Sequence, residues 1–252
     1  MEDDIVRRLV ASQRKLVFPD PLDVYLSDRA EEGSLHAGQP HQGQGFADAA
    51  TVASAIKARA YSIGFAIHNT IVSSESAIWD AILEIERWIN EQEIVRVVGA
   101  GRALLAAAIP ANRLAHTGAR IYVLHDVVPL PNSIRGGSIL AASASGKTAP
   151  VLSIMATAKK RNPKIRILGI ADAGARQFAD LCDIFVGIDQ TTNPVANPLS
   201  ALADTGEYII SELLDAMVVA AAKRLGFTDQ QFREGHEDLG DTGPYLPEEA
   251  AR

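Results

Sequence analysis

The chain has 252 residues, 47% of them hydrophobic and 22% charged, with a net charge of −7 and one cysteine. That length allows one large domain or one domain with appendages, and the composition excludes disorder on a large scale. There is no Lys/Arg stripe of the kind nucleic acid or an anionic membrane requires, and the lone Cys182 excludes an intrachain disulfide.

The first residues, MEDDIVRRLV, lack an apolar h-region, and no stretch approaches the roughly 20 apolar residues that cross a bilayer. The expectation is a cytoplasmic protein. Residues 1–17 read as a short amphipathic helix, followed by a Gly/Gln/His/Pro loop, GSLHAGQPHQGQG, at 33–45. His36 and His41 in that loop have no Cys, Asp or Glu at metal spacing, so no metal is expected. Helices are predicted over 47–61 and 74–91. The second has Ser74 as N-cap, Glu75 in its first turn, and Ile78, Ile82, Ile85 and Ile89 at helical spacing.

From residue 94 short β-branched runs alternate with helix-length segments: IVRVVG, ALLAAAIPANRLAHTG, RIYVLH, GSILAAS, TAPVLSIMATAKKRN, IRILGIA, ARQFADLC and DIFVGI. Continuous apolar strands joined by crossover helices predict a parallel sheet covered on both faces, here a three-layer α/β/α sandwich with five strands. Ligands of such sheets sit beyond the carboxyl ends of the strands, which puts GAGR (99–102), HDVVP (125–129) and SASGKT (143–148) on one rim. A long helix over 204–225 buries Ile210, Leu213, Leu214, Met217, Val218 and Ala221 and stops at Gly226. Thr228-x-x-Gln231 then opens a short helix through a capping box, and an acidic, turn-rich tail follows His236.

AASASGKT (141–148) satisfies the nucleotide pattern [AG]-x-x-x-x-G-K-[ST] in every letter. A nucleotide loop beginning at Ala141 would leave three residues of strand, too few for a central one. Running the strand to Ser143 instead makes Ser-Ala-Ser-Gly-Lys-Thr the turn into a helix that has Pro150 in its first turn and Lys159, Lys160 and Arg161 in its last. The hydroxyls of Ser143, Ser145 and Thr148 then surround a helix N-terminus, which favours a phosphate. A plain N-cap by Thr148 or Ser145 is the alternative. GAGRALLAA offers the first two glycines of a dinucleotide fingerprint, but Leu104 occupies the third small position, and Arg102 is a cation aimed into the rim.

GAGRAL (99–104), IYVLHD (121–126), SASGKT (143–148), LADTGE (202–207) and REGHEDL (233–239) together resemble the sugar isomerase (SIS) domain, and most its 6-phospho-3-hexuloisomerase branch. The likeness spans residues 75–239. It implies a flavodoxin-like SIS domain over 63–239, with a helical and loop extension at 1–62 and an acidic tail at 240–252. By position, Gly101, Arg102, Ser143, Ser145, Gly146, Lys147, Thr148 and His125 would bind substrate, with the phosphate on Ser143, Ser145 and Thr148. Glu207 would be the general base. His236 would act in proton transfer or ring opening, in a neighbouring subunit's site, since SIS enzymes are dimers or tetramers with shared sites. The implied partner is a phosphorylated sugar, with no cofactor and no nucleic acid. The sequence departs from the branch at Ala103 and Leu104 in place of Ser-Gly, at Lys147 in place of a loop glutamate, and at His125-Asp126 in place of Gly-Glu.

The residues fit that chemistry. Aldose-ketose isomerisation needs a base that moves a proton between adjacent carbons and a cation or donors for the enediolate oxygen. Glu207 tops an apolar helical stripe through Ile210, Leu214, Val218 and Ala221, although Asp204-x-x-Glu207 also has capping-box spacing. A sugar-phosphate isomerase is the function expected, with a phosphosugar-sensing module, another phosphosugar reaction, or a nucleotide site as alternatives.

Overall fold

A computed structural model describes residues 49–124, 136–190 and 205–237, with side chains over 52–124, 136–190 and 205–235. The predicted helix at 1–17, the loop at 33–45 with His36 and His41, HDVVP with His125 and Asp126, Asp204 and the tail lie outside the described residues. Two compact units divide the described chain, one holding the residues up to Phe65 and the other Ala66–Gln190 and 205–237.

In chain order the elements are α1 (Ala49–Ser73), α2 (Glu75–Asn90), β1 (Ile94–Val98), α3 (Arg102–Ala115), β2 (Arg120–Val123), β3 (Ser138–Ser143), α4 (Ala149–Arg161), β4 (Arg166–Asp172), α5 (Arg176–Ala179), β5 (Ile184–Ile188), α6 (Thr205–Arg224) and α7 (Asp229–Glu237). All five strands are parallel, in the order β2-β1-β3-β4-β5. Alternation along each strand sends side chains to two layers. Val95, Val97, Leu140, Ala142, Leu168, Ile170, Val186 and Ile188 meet α2, α3 and α6 on one face. Val98, Ile139, Ala141, Ile167 and Ala171 meet Val151, Met155 and Ala158 of α4 and Phe178 of α5 on the other. The domain is the expected three-layer sandwich.

Three elements differ from the sequence reading. Helix α1 runs to Ser73 and not to 61. Gly64 is carried inside the helix, at a cost of about 1 kcal/mol, and the turns beyond it place Ala66, Ile67 and Ile71 on the core. The predicted helix over ARQFADLC is the single turn α5, because Asp183 must fold back for its Oδ2 to accept from the Ile167 N–H at 2.7 Å. Ser74 precedes α2 but makes no side-chain cap; its hydroxyl donates to the Gly187 carbonyl at 2.7 Å and ties the helix start to β5. The Thr228–Gln231 capping box is formed in both directions, at 2.8 and 3.2 Å.

Candidate functional site

The sheet order reverses between β1 and β3: the connection from β1 leads outward to β2, whereas β3, β4 and β5 succeed one another on the other side. A crevice opens at the carboxyl ends of strands where the order reverses. Two segments leave the sheet there. After β1, Gly101 (φ +55) begins α3, and Arg102 is its first residue. After β3, the serine turn 143–148 leads into α4, with Thr148 in the N-cap position.

The strand runs to Ser143, with Ala141 and Ala142 fully buried and paired with Gly169 and Ile170 of β4. AASASGKT is thus divided between strand and turn. Ser143 is 2% exposed, and its Oγ accepts from the Gly146 N–H at 3.0 Å while lying 3.0 Å from Thr148 Oγ1. Thr148 makes no side-chain cap to α4, so its hydroxyl is engaged with the turn. The Lys147 N–H donates to Ser145 Oγ at 3.2 Å, and both of these side chains face solvent. Ser143 therefore organises the turn from beneath, and Ser145, Lys147 and Thr148 form its outer surface. Lys147 keeps its ammonium in water at that surface.

The head of α6 completes the site. Its Gly206 lies against the turn: a Cβ there would sit 2.9 Å from the Ala144 methyl. Next to it, Glu207 is 17% exposed, and its Oε1 lies 3.4 Å from Arg102 Nη2, which is on a half-exposed side chain. The other oxygen, Oε2, is buried and has no hydrogen-bond partner among the described residues. A buried carboxylate oxygen without a donor is uncommon and calls for a physical reason; here it belongs to the first turn of α6, whose Gly206 packs on the serine turn. Below it Ile210, Leu214, Val218 and Ala221 are all buried. The structure thus brings Arg102, Glu207, Gly101 and the serine turn to one rim.

His125 lies outside the described residues, as does the side chain of His236. In α7, a Cβ at Gly235 would collide with the carbonyl oxygen of His116 at the C-terminal end of α3. Arg102 begins that same 14-residue helix, so about 20 Å of helix separates the two ends.

Sequence reasoning missed Gln190. It follows β5 by two residues, and its Nε2 donates to the Ala144 carbonyl. A polar pair, Asp189-Gln190, at the carboxyl end of a buried strand was the available signal. It also missed a charged cluster at the opposite rim, where the buried Glu84 carboxylate binds Arg87, Arg166 and Trp88. Among the described residues no three His, Cys, Asp or Glu side chains gather as metal ligands would, and no helix is long and apolar enough to cross a membrane.

No family profile matches the chain. Sequence relatives include an uncharacterised protein of Aeropyrum pernix, 28% identical over 62% of this chain and 78% of its own. Two others are named 3-hexulose-6-phosphate isomerase. That of Methylomonas aminofaciens is 25% identical over 56% of this chain and 77% of its own, and that of Mycobacterium gastri 34% identical over 37% and 51%. Similar solved structures include a hypothetical Methanococcus jannaschii protein described as inferring a 3-hexulose-6-phosphate isomerase function (TM-score 0.54, 18% identity, 69% of this chain and 97% of that one). A Listeria monocytogenes protein proposed as a sugar-phosphate isomerase superposes at a TM-score of 0.56 (20% identity, 75% and 98%). The Vibrio vulnificus NanR protein complexed with ManNAc-6P does so at 0.58 (17% identity, 74% and 72%). At these identities the structural likeness speaks for the fold.

Proposed function

The chain belongs to the sugar isomerase (SIS) family, close to its phosphohexuloisomerase branch, and from that premise we propose that it is a sugar-phosphate isomerase working through an enediolate. The observation that carries this reading is the Arg102–Glu207 pair, 3.4 Å apart beside a serine turn at the topological switch point. The relatives named as hexulose-phosphate isomerases supply the substrate class, and the neighbour holding ManNAc-6P supplies the expectation of a phosphosugar.

The phosphate sits on the outer surface of the serine turn, held by Ser145, Thr148 and backbone N–H groups at the start of α4, with Ser143 shaping the turn behind them. Lys147 adds a mobile cation beside it. The sugar then extends across Ala144 toward the head of α6. Glu207 removes the proton from the carbon next to the carbonyl and returns it to the neighbouring carbon, while a proton moves between the two substrate oxygens. Removing that proton neutralises the carboxylate and places the negative charge on the substrate oxygen. Arg102, already within reach of Glu207, stays beside the charge as it moves. The reaction needs only acid-base groups and an oxyanion partner, both supplied by this chain's residues. His236 serves a neighbouring copy's site in a homodimer or homotetramer.

The test is turnover of a panel of ketose and aldose phosphates, followed by NMR. Wild-type protein is expected to interconvert at least one pair. Glu207→Gln, which keeps the shape of the side chain, is expected to lower kcat by about 10² to 10⁴ with an unchanged circular dichroism spectrum. Undiminished turnover in that variant removes Glu207 as the base. Saturable binding without any turnover by wild type replaces the isomerase with a sensing module.

A further inference from the structure

Gln190 takes no part in the proton transfer described above, yet it touches both halves of the site. Its Nε2 donates to the Ala144 carbonyl, which also accepts from the Asp172 N–H at 3.2 Å. Its Oε1 lies on the other side against α6: a Cβ at Gly206 would be 2.6 Å from that oxygen. Gln190 therefore stands between the serine turn and the helix head that carries Glu207.

For the turn the consequence is geometric. The C=O and N–H of a planar trans peptide point in opposite directions, and the described backbone has no cis peptide. Donors at the ends of β4 and β5 fix the Ala144 carbonyl toward that side of the rim, so the Ser145 N–H is turned the opposite way. No acceptor for it exists among the described residues, whereas the next two N–H groups are engaged within the turn, Gly146 on Ser143 and Lys147 on Ser145 Oγ. An N–H held outward beside the first turn of a helix is a donor for an anion.

We propose that Gln190 is a positioning residue for the phosphate subsite. It holds the Ala144–Ser145 peptide so that the Ser145 N–H faces the phosphoryl group, and it braces the turn against Gly206 so that phosphate and Glu207 keep their separation. The inference rests on the sugar-phosphate reading of this site. A glutamine suits the position because the carbonyl requires a donor at the end of a side chain of that length. Methionine keeps the volume and loses the donor; glutamate keeps the shape, loses the donor and sets a negative charge against both the carbonyl and the bound phosphate.

The experiment compares the full-length wild type with Gln190→Met and Gln190→Glu. Binding of inorganic phosphate is read by calorimetry, folding by thermal melts, and KM and kcat with whichever sugar phosphate the wild type turns over. Gln190→Met is expected to weaken phosphate about tenfold, as loss of one charge-assisted hydrogen bond does, and Gln190→Glu more. KM should rise in step with the phosphate dissociation constant, and both melts should stay close to wild type. Unchanged phosphate affinity in both folded variants overturns the proposal. Weakened phosphate in a protein that isomerises no sugar phosphate upholds the role of Gln190 and removes only the isomerase reading. A wild type that binds no phosphate overturns both.

Discussion

A carboxylate with 3% exposure is costly unless its donors are in place, and Glu84 draws them from three side chains. Trp88 Nε1 donates at 3.0 Å, Arg87 Nη2 at 2.8 Å and Arg166 Nε at 2.9 Å, and Arg166 Nη2 lies 2.8 Å from Oε2. Burial alone would push its carboxyl upward, but the hydrogen bonds and charges of Arg87 and Arg166 outweigh it and hold the group below the usual carboxylate value. The folded state thus favours the ionised form more than the unfolded chain does. Its contribution is complete above the unfolded carboxylate value near 4.5 and is lost as pH falls through the lower folded one. Glu84→Ala is expected to lower stability by about 2–3 kcal/mol at neutral pH, less than a fully buried pair because both arginines reach water. Urea unfolding at pH 7 and in steps below pH 4.5 checks this. The difference between wild type and variant should shrink toward the acid end. Nothing in the sequence marked Glu84 as the centre of such a cluster, since it lies at ordinary helical spacing from Arg87 and Trp88, and its third partner, Arg166, is 82 residues away.

At the scale of elements, most of the sheet was readable because β3, β4 and β5 are nearly continuous apolar runs ended by or followed by a polar residue, a pattern set by burial on both faces. Helix ends were less readable. Gly64 and Ser74 carry local signals for a stop and a cap, and tertiary packing overrides the first while the Gly187 carbonyl captures the second. The serine turn was legible as a turn, yet the reason for its glycine is visible only in three dimensions. Gly146 has φ +63, and a Cβ on it would collide with the Ala175 methyl at the start of α5. Gly146→Ala is therefore expected to cost about 2–4 kcal/mol from left-handed strain and overpacking together. It should also weaken inorganic phosphate, since relief of the clash moves the turn. Denaturant melts and calorimetry on the same variant separate the two effects. A stable Gly146→Ala protein with wild-type phosphate binding would mean that the turn does not hold the anion.

At the scale of the whole molecule, one sheet determines which residues can meet. Strand order brings the ends of β1 and β3 together, so Arg102 and the serine turn converge although 41 residues separate Arg102 from Ser143. The same topology keeps α7 away. Gly235 packs on the His116 carbonyl, and the 14 residues of α3 put about 20 Å between that end and Arg102. The backbone of α7 at Gly235 is thus remote from the Arg102–Glu207 pair of its own chain. We therefore propose that His236 works in another copy's site, which converts a question of residue roles into one of assembly. Glu207→Gln and His236→Asn proteins should each be inactive alone. Mixed, partly dissociated and reassembled, they should regain activity, because some mixed sites then pair an intact Glu207 from one chain with an intact His236 from the other. The regained rate should rise with mixing time and saturate as subunits exchange, which a contaminating wild-type trace would not do. A His236→Asn protein that is fully active alone removes the histidine from the chemistry, and inactive mixtures whose subunits have demonstrably exchanged remove the shared site.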